Sequence, residues 1–111
     1  MMTFEDVKAV ALRLPEVEAS IKYDGSTVLK AGGSFMAAVA SDESAEADSL
    51  VVRCEFDDRE LLLEDAPDTY YVTDYYAKYP LVLARMSELT EDALRDLLSV
   101  SRKMALEKSR R

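Results

Sequence analysis

The chain has 111 residues, 49% of them hydrophobic and 32% charged, which is the composition of one globular domain. Asp and Glu number 22 against 14 Lys and Arg, so the net charge is −8. This excess of acid disfavours sequence-independent DNA binding, because that affinity comes from cations that neutralise phosphates. The absence of histidine excludes Ser-His and Cys-His nucleophile pairs and histidine metal ligands.

The cysteine content and the N-terminus bear on the compartment. A lone cysteine, Cys54, cannot form an internal disulfide or a thiolate zinc site, which is typical of a reducing cytoplasm. Residues 1–6 are acidic where a signal peptide would be basic, and no apolar run reaches membrane-spanning length. We therefore expect a cytoplasmic protein with no cofactor, no metal and no membrane partner.

The first predicted element is a helix that begins after Thr3 and ends near Arg13. Thr3 supplies a capping hydroxyl, and acids follow it in the first turn, where the helix dipole favours them. Pro15 lies just beyond the stretch of helical periodicity and marks its end.

Short strands are predicted next, because the periodicity shortens after Ser20. Thr27–Lys30 and Phe35–Ala40 form a predicted hairpin across a glycine turn at residues 31–34. Residues 41–49 are polar and acidic without a period, which predicts a mobile loop.

The second half of the chain begins with a predicted strand, Leu50–Phe56, and a short helix over residues 57–65 that Asp57 caps. Residues rich in Tyr, Val and Leu predict strands at Thr69–Thr73 and Leu81–Met86. Between them, Asp74–Pro80 is predicted to be an irregular connection.

The last predicted element is a long helix that Thr90 caps. Its apolar residues Leu94, Leu97, Leu98 and Met104 share one face. The whole order predicts a single α+β domain over residues 1–111, with an antiparallel sheet of about five to six strands interrupted by a short helix.

Several segments, in this order and spacing, resemble the MmcQ/YjbR family of small bacterial proteins. They are residues 3–7 (TFEDV), 14–18 (LPEVE), 50–54 (LVVRC), 58–62 (DRELL), 70–76 (YYVTDYY) and 79–85 (YPLVLAR). The resemblance extends through the last helix and covers nearly the whole chain. It implies a CyaY-like α+β fold and DNA binding through a double-wing arrangement of sheet and loops.

Tyrosines are concentrated in one stretch, since five of the six lie within residues 70–79. Tyr75, Tyr76 and Tyr79 flank Pro80 in a predicted surface segment, where they could stack on bases or anchor a partner protein. The alternative is that they cover the sheet, and that Tyr70 or Tyr71 faces the core, as strand aromatics commonly do.

Cations near the predicted sheet are candidates for phosphate contact. They are Lys30, Arg53, Lys78 and Arg85, with Lys22 nearby, and the two arginines suit bidentate phosphate binding best. The alternative is a solvated strand face with weak ion pairs to nearby acids. Residues 102–111 hold five cations against one acid, a pattern that more often complements the helix dipole than binds a partner.

Catalytic and metal sites are not indicated. The acids at residues 42–48 lack the spacing of a calcium loop, with Ala47 where its glycine would stand. Cys54 is predicted to be a buried, inert thiol. Because no nucleophile has a base beside it, we expect a protein that is not an enzyme.

Two functions remain open from the sequence. The first is DNA binding through Lys30, Arg53, Lys78 and Arg85, with stacking by Tyr75, Tyr76 or Tyr79. The second is protein interaction or self-association through the tyrosine-rich segment 70–80 and an exposed sheet edge.

Overall fold

Helices and strands follow one another in the predicted order in the structure, a computed structural model that describes residues 1–110. Arg111, part of the basic terminal segment, lies outside the described residues. The helices are α1 (Phe4–Ala11), α2 (Phe56–Asp65), α3 (Asp74–Ala77) and α4 (Glu91–Ser109), with a 3-10 turn at Met86–Glu88. The strands are β1 (Val17–Ile21), β2 (Thr27–Ala31), β3 (Ser34–Val39), β4 (Ser49–Arg53), β5 (Tyr70–Tyr71) and β6 (Leu81–Arg85).

Two helices begin where their capping residues predict. The Thr3 hydroxyl accepts a hydrogen bond from the Asp6 backbone N–H at 3.3 Å, while the Asp6 carboxylate accepts the Thr3 N–H at 2.9 Å. This reciprocal pair satisfies two backbone donors that the first turn leaves free. Thr90 caps α4 through a single bond, its hydroxyl accepting from the Ala93 N–H at 3.1 Å.

The predicted start of the short helix is wrong by two residues. Glu55, not Asp57, is the N-cap of α2, and it makes no capping hydrogen bond through its side chain. Asp57 lies inside the first turn, where its charge complements the helix dipole instead.

All neighbouring strands pair antiparallel in one sheet of order β1-β2-β3-β4-β6-β5. The predicted hairpin is present between β2 and β3, and its turn residues Gly32 and Gly33 have positive φ angles of 58° and 83°. A register shift lies between Leu29 and Lys30. The last strand pair is shorter than predicted, because β5 has only two residues, and the connection Asp74–Pro80 contains the short helix α3.

The sheet has two covered faces. On one face α1 and α4 bury the main core, to which β2, β3, β4 and β6 contribute Leu29, Met36, Leu50, Val52 and Val82. A smaller core on the opposite side, here called the outer face, consists of Val28, Ala38, Val51, Leu83 and Tyr76 of α3. Helix α4 buries the predicted Leu94, Leu97 and Leu98, while Met104 is only half-buried.

Among the helices of residues 1–110, none combines the length and the apolar character that crossing a membrane requires.

The hairpin turn packs closely on the end of α4. A Cβ atom built on Gly32 would lie 2.5 Å from the Ser109 hydroxyl and 3.0 Å from Cδ2 of Leu106, whereas one on Gly33 would meet open space. Both positions have left-handed backbone conformations that disfavour a side chain.

Alanine substitutions at these glycines distinguish the cost of a strained backbone from the cost of steric crowding against α4. We expect Gly33→Ala to lower the free energy of unfolding by about 1 kcal/mol, the cost of a left-handed alanine. Gly32→Ala should cost about 1 kcal/mol more, because Leu106 and Ser109 must also move. Urea unfolding of both variants measures the difference, and equal losses would contradict a close contact with α4.

Candidate functional site

Two tyrosines, one in α3 and one just after it, form an exposed pair. Tyr75 and Tyr79 are 50% and 43% exposed, and their ring centroids lie 6.3 Å apart at an interplanar angle of 58°. The ammonium group of Lys78 lies 5.5 Å from the centroid of the Tyr79 ring. We call this pair, Tyr75 and Tyr79, the tyrosine surface.

Tyr76 is an internal anchor, which corrects its prediction as a stacking residue. It is only 6% exposed and packs in the core of the outer face. Its hydroxyl accepts a hydrogen bond from the Asp42 backbone N–H at 3.1 Å, and its ring meets that of Tyr75 edge-on at 4.9 Å. Tyr76 therefore fixes α3 on the sheet and supports the Tyr75 ring from below.

Arg59, a buried residue that no sequence pattern indicates, holds the backbone of this segment. Arg59 of α2 donates hydrogen bonds from Nη1 to the carbonyls of Tyr79 and Leu81, at 3.1 and 3.2 Å, and from Nη2 to the Ala77 carbonyl at 3.0 Å. Its guanidinium also lies 4.9 Å from the centroid of the Phe56 ring. No carboxylate of the described residues pairs with it, and its Nε has no hydrogen-bond partner among them.

The sequence carried little signal for this role. Arg59 lies among acids and leucines at residues 57–65, and this pattern predicts an arginine side chain exposed to solvent on a helix. Its hydrogen-bond acceptors are carbonyls 18 to 22 positions further along the chain, and a local sequence pattern cannot predict a contact over that separation.

The acidic loop between β3 and β4 is docked on the outer face rather than free of contacts, which corrects its prediction as a mobile loop. The Glu46 backbone N–H donates to the Tyr71 hydroxyl at 2.8 Å, and the Ser44 and Thr73 hydroxyls lie 2.8 Å apart. With the bond from Asp42 to Tyr76, these contacts join the loop to the tyrosine-rich segment at three points.

Arg85, a predicted phosphate ligand, is the charged partner of this loop. Its Nε and Nη2 donate to the two carboxylate oxygens of Glu46 at 2.9 and 2.7 Å. Nη1 donates to the carbonyls of Pro67 and Asp68, and the guanidinium lies 4.4 Å from the centroid of the Tyr71 ring. A phosphate would have to displace Glu46 to reach the bidentate edge of Arg85.

The other predicted phosphate ligands lie apart from Arg85. Arg53 and Arg85 occupy opposite ends of the paired strands β4 and β6, roughly 13 Å apart along the sheet. Nε of Arg53 donates to the Phe35 carbonyl at 2.7 Å. Lys30 lies opposite Glu18 of β1, and Lys78 is exposed beside the tyrosine surface. Arg85 is therefore separated from Arg53, and the four cations do not form one cluster, although Lys30 and Arg53 both border Phe35 of β3.

Cys54 lies in the core, as predicted. The side chain is 1% exposed, and burial raises the pKa of its thiol to about 11. A thiol with such a pKa is almost entirely protonated at neutral pH and is a poor nucleophile.

Removal of the Arg59 guanidinium should weaken the whole segment. We expect Arg59→Met to lower the free energy of unfolding by about 3 kcal/mol, because three carbonyls lose a charged donor. Hydrogen exchange of the backbone amides of residues 76–79 and 81 should accelerate as well. Urea unfolding and exchange measurements test this, with Arg95→Met as the control, since Arg95 is exposed and pairs only with Glu91. An Arg59→Met variant as stable as this control would contradict the anchoring role.

Acidification should release the loop through Glu46. The hydrogen bonds from Arg85 lower the pKa of Glu46 below its usual 4.5. Because the folded pKa is the lower one, the pair stabilises the fold above about pH 4.5 and loses this effect as the pH falls through the folded pKa.

We therefore expect Glu46→Gln to be less stable than the parent at pH 7, with the difference shrinking at lower pH. Urea unfolding at pH 7 and near the acid limit of stability measures this trend. Glu43→Gln, a change at another exposed acid of the same loop, is the matched control and should show no such trend. A gap for Glu46→Gln that stays constant with pH would contradict the assigned ion pair.

Comparison with known proteins identifies the family. The model of the YjbR family matches residues 12–104. Among solved structures, the chain is similar to Deinococcus radiodurans protein DR2400, described as a DUF419 domain, with a TM-score of 0.76 and 20% sequence identity. The similarity covers 97% of this chain and 81% of that one, and it shows a shared fold. None of the curated proteins matches. Since the family model spans most of the sequence, the chain belongs to the YjbR family.

Proposed function

We propose that this YjbR-family chain is a non-catalytic binding module that holds a partner protein at the tyrosine surface. The observation that carries the proposal is the side-by-side exposure of Tyr75 and Tyr79 on a backbone that Arg59 fixes. Tyrosine is among the residues enriched at the energetic centres of protein interfaces, because it offers a large, rigid apolar area with a polar tip.

The fixed backbone favours tight binding. Arg59 holds the carbonyls of Ala77 and of Tyr79 itself, and the ring of the buried Tyr76 contacts the Tyr75 ring. A partner therefore does not have to order this segment on binding, which removes part of the entropic cost of association. Phe56, which is exposed and stacks on Arg59, extends the apolar area towards α2.

The net charge of −8 suits a basic partner. Long-range attraction of that kind speeds encounter and weakens with salt, while aromatic contacts set most of the lifetime of the complex. We therefore expect an association rate that falls with salt and a dissociation rate that changes little.

The absence of histidine and the high pKa of the buried Cys54 thiol support the non-catalytic part of the proposal. DNA binding, which the resemblance implies, stays a prediction. Arg85 lies at the opposite end of its strand pair from Arg53 and is paired with Glu46, and both observations favour protein binding over DNA binding.

The test compares the capture of partner proteins by variants at the two tyrosines of the surface with capture by a variant at a third exposed tyrosine. Tagged parent protein, the double variant Tyr75→Ser/Tyr79→Ser and the control Tyr23→Ser are used to capture proteins from a cell extract, followed by quantitative mass spectrometry. Tyr23 is fully exposed in the turn before β2, so the control removes the same chemical group far from the site. Thermal unfolding first verifies that all three proteins are folded.

We expect at least one protein to be retained by the parent and by Tyr23→Ser and to fall about tenfold or more in the double variant, the effect of losing roughly 1.4 kcal/mol of contact energy. Sedimentation of the purified proteins shows whether that partner is a second copy of the chain. Retention that is equal in all three proteins would overturn the proposal.

The same proteins serve to test DNA binding by fluorescence anisotropy. Affinity tighter than about 10 μM that falls steeply with salt and disappears in Arg53→Glu/Arg85→Glu would favour the nucleic-acid function instead. No binding at low salt would exclude it for this chain.

A further inference from the structure

A groove separate from the tyrosine surface opens between α2 and α4. It encloses a cavity of about 380 Å³, a size typical of small-molecule sites. Its apolar walls are formed by Leu61 and Leu62 of α2 and by Ala93, Leu97 and Val100 of α4, with Tyr70 among the lining residues. Leu61 and Val100 are 58% and 44% exposed, so apolar surface meets solvent at this groove.

The charged groups of the groove all have the same sign. Asp58 and Asp65 of α2 and Asp96 of α4 line it, and no Lys or Arg is among the described residues that do. None of these three carboxylates has a salt-bridge partner within residues 1–110. Arg59 lies near Cys54, but its guanidinium is directed at the carbonyls of residues 77, 79 and 81.

The lining groups already respond to this environment. Burial raises the pKa of Tyr70, and the charge of Asp96 raises it further. Burial is also the main cause of the raised pKa of Cys54, to which Asp58 contributes. Both shifts are in the direction expected for an apolar cavity under a negative potential.

We propose that this groove binds a small organic cation, in which an apolar body fills the cavity between α2 and α4 and a protonated amine lies in the negative potential of Asp58, Asp65 and Asp96. An anion would be repelled by three acids, and a neutral apolar ligand would leave them unpaired. The cavity volume suits a body of about the size of a phenylalkyl group. The site shares no residue with the tyrosine surface, so either function can exist without the other.

Three probes that differ only in their terminal group test the charge preference. They are 4-phenylbutylamine, 4-phenylbutan-1-ol and 4-phenylbutanoate, which at pH 7 are a cation, a neutral molecule and an anion. Each is titrated into ¹⁵N-labelled protein, and amide shifts in the NMR spectrum report both affinity and location. We expect shifts centred on Leu61, Ala93, Asp96 and Val100, with a Kd for the amine about five- to tenfold lower than for the alcohol. The carboxylate should bind more weakly than the alcohol.

A pair of double variants distinguishes the effect of the carboxylates that line the groove from the effect of the net charge of the protein. Asp58→Asn/Asp96→Asn should abolish the preference for the amine while leaving the alcohol bound. Asp57→Asn/Asp92→Asn removes the same charge from the same two helices at positions that do not line the groove, and it should keep the preference. Val100→Lys, a change at an exposed helix position, places a cation at the groove. It should weaken the binding of the amine more than the binding of the alcohol or the carboxylate.

Several results would overturn the proposal. One is the absence of shifts with any probe up to about 5 mM, a limit below which even weak sites of this size are seen. Equal affinity for the three probes, shifts centred elsewhere, or an equal loss of preference in both double variants would also exclude a cation site in the groove.

Discussion

The guanidinium of Arg59 is the contact on which the arrangement of the second half of the chain depends. It joins α2 to three carbonyls of residues 77, 79 and 81, which span the end of α3 and the start of β6. Carbonyls in a short irregular segment have no neighbouring strand to satisfy them, and a planar group with five N–H donors can serve several at once. Once this backbone is fixed, Tyr76 enters the outer face and Tyr75 and Tyr79 are left outside.

Within residues 1–110, Arg59 is one of four arginines that donate hydrogen bonds to backbone carbonyls of distant parts of the chain. Arg53 donates to Phe35, Arg85 to Pro67 and Asp68, and Arg102 to Pro15 at 2.6 Å. Each of these bonds joins one helix or strand to the backbone of another part of the chain. Four of the 14 cations of this acidic chain are thus engaged in internal hydrogen bonds, among them Arg53 and Arg85.

Features that depend on neighbouring residues could be predicted from the sequence. Thr3 and Thr90 cap their helices through bonds that span three residues, and the glycine turn forms the hairpin it indicates. For Tyr75, Tyr76 and Tyr79 the sequence left exposure and cover of the sheet as alternatives, and the structure buries Tyr76 alone of the three. Tyr76 is held by Asp42, 34 positions earlier, and Arg85 by Glu46, 39 positions earlier, so both outcomes depend on how the acidic loop folds back over the sheet. Periodicity describes single elements and carries no information about such pairings.

The same reasoning explains why α2 borders both candidate sites. Arg59 is the most buried residue of this helix, and Leu62 and Leu63 pack partly buried against the main core, so polar bonds and apolar contacts together hold α2. Phe56 and Leu61 stay exposed on it, the first beside Arg59 and the second at the groove against α4. A helix that also buried Leu61 in the main core would remove more apolar area from water. The apolar surface that α2 leaves exposed thus lies at Phe56 and Leu61, while Leu62 and Leu63 pack against the core and Arg59 holds the backbone of residues 77–81.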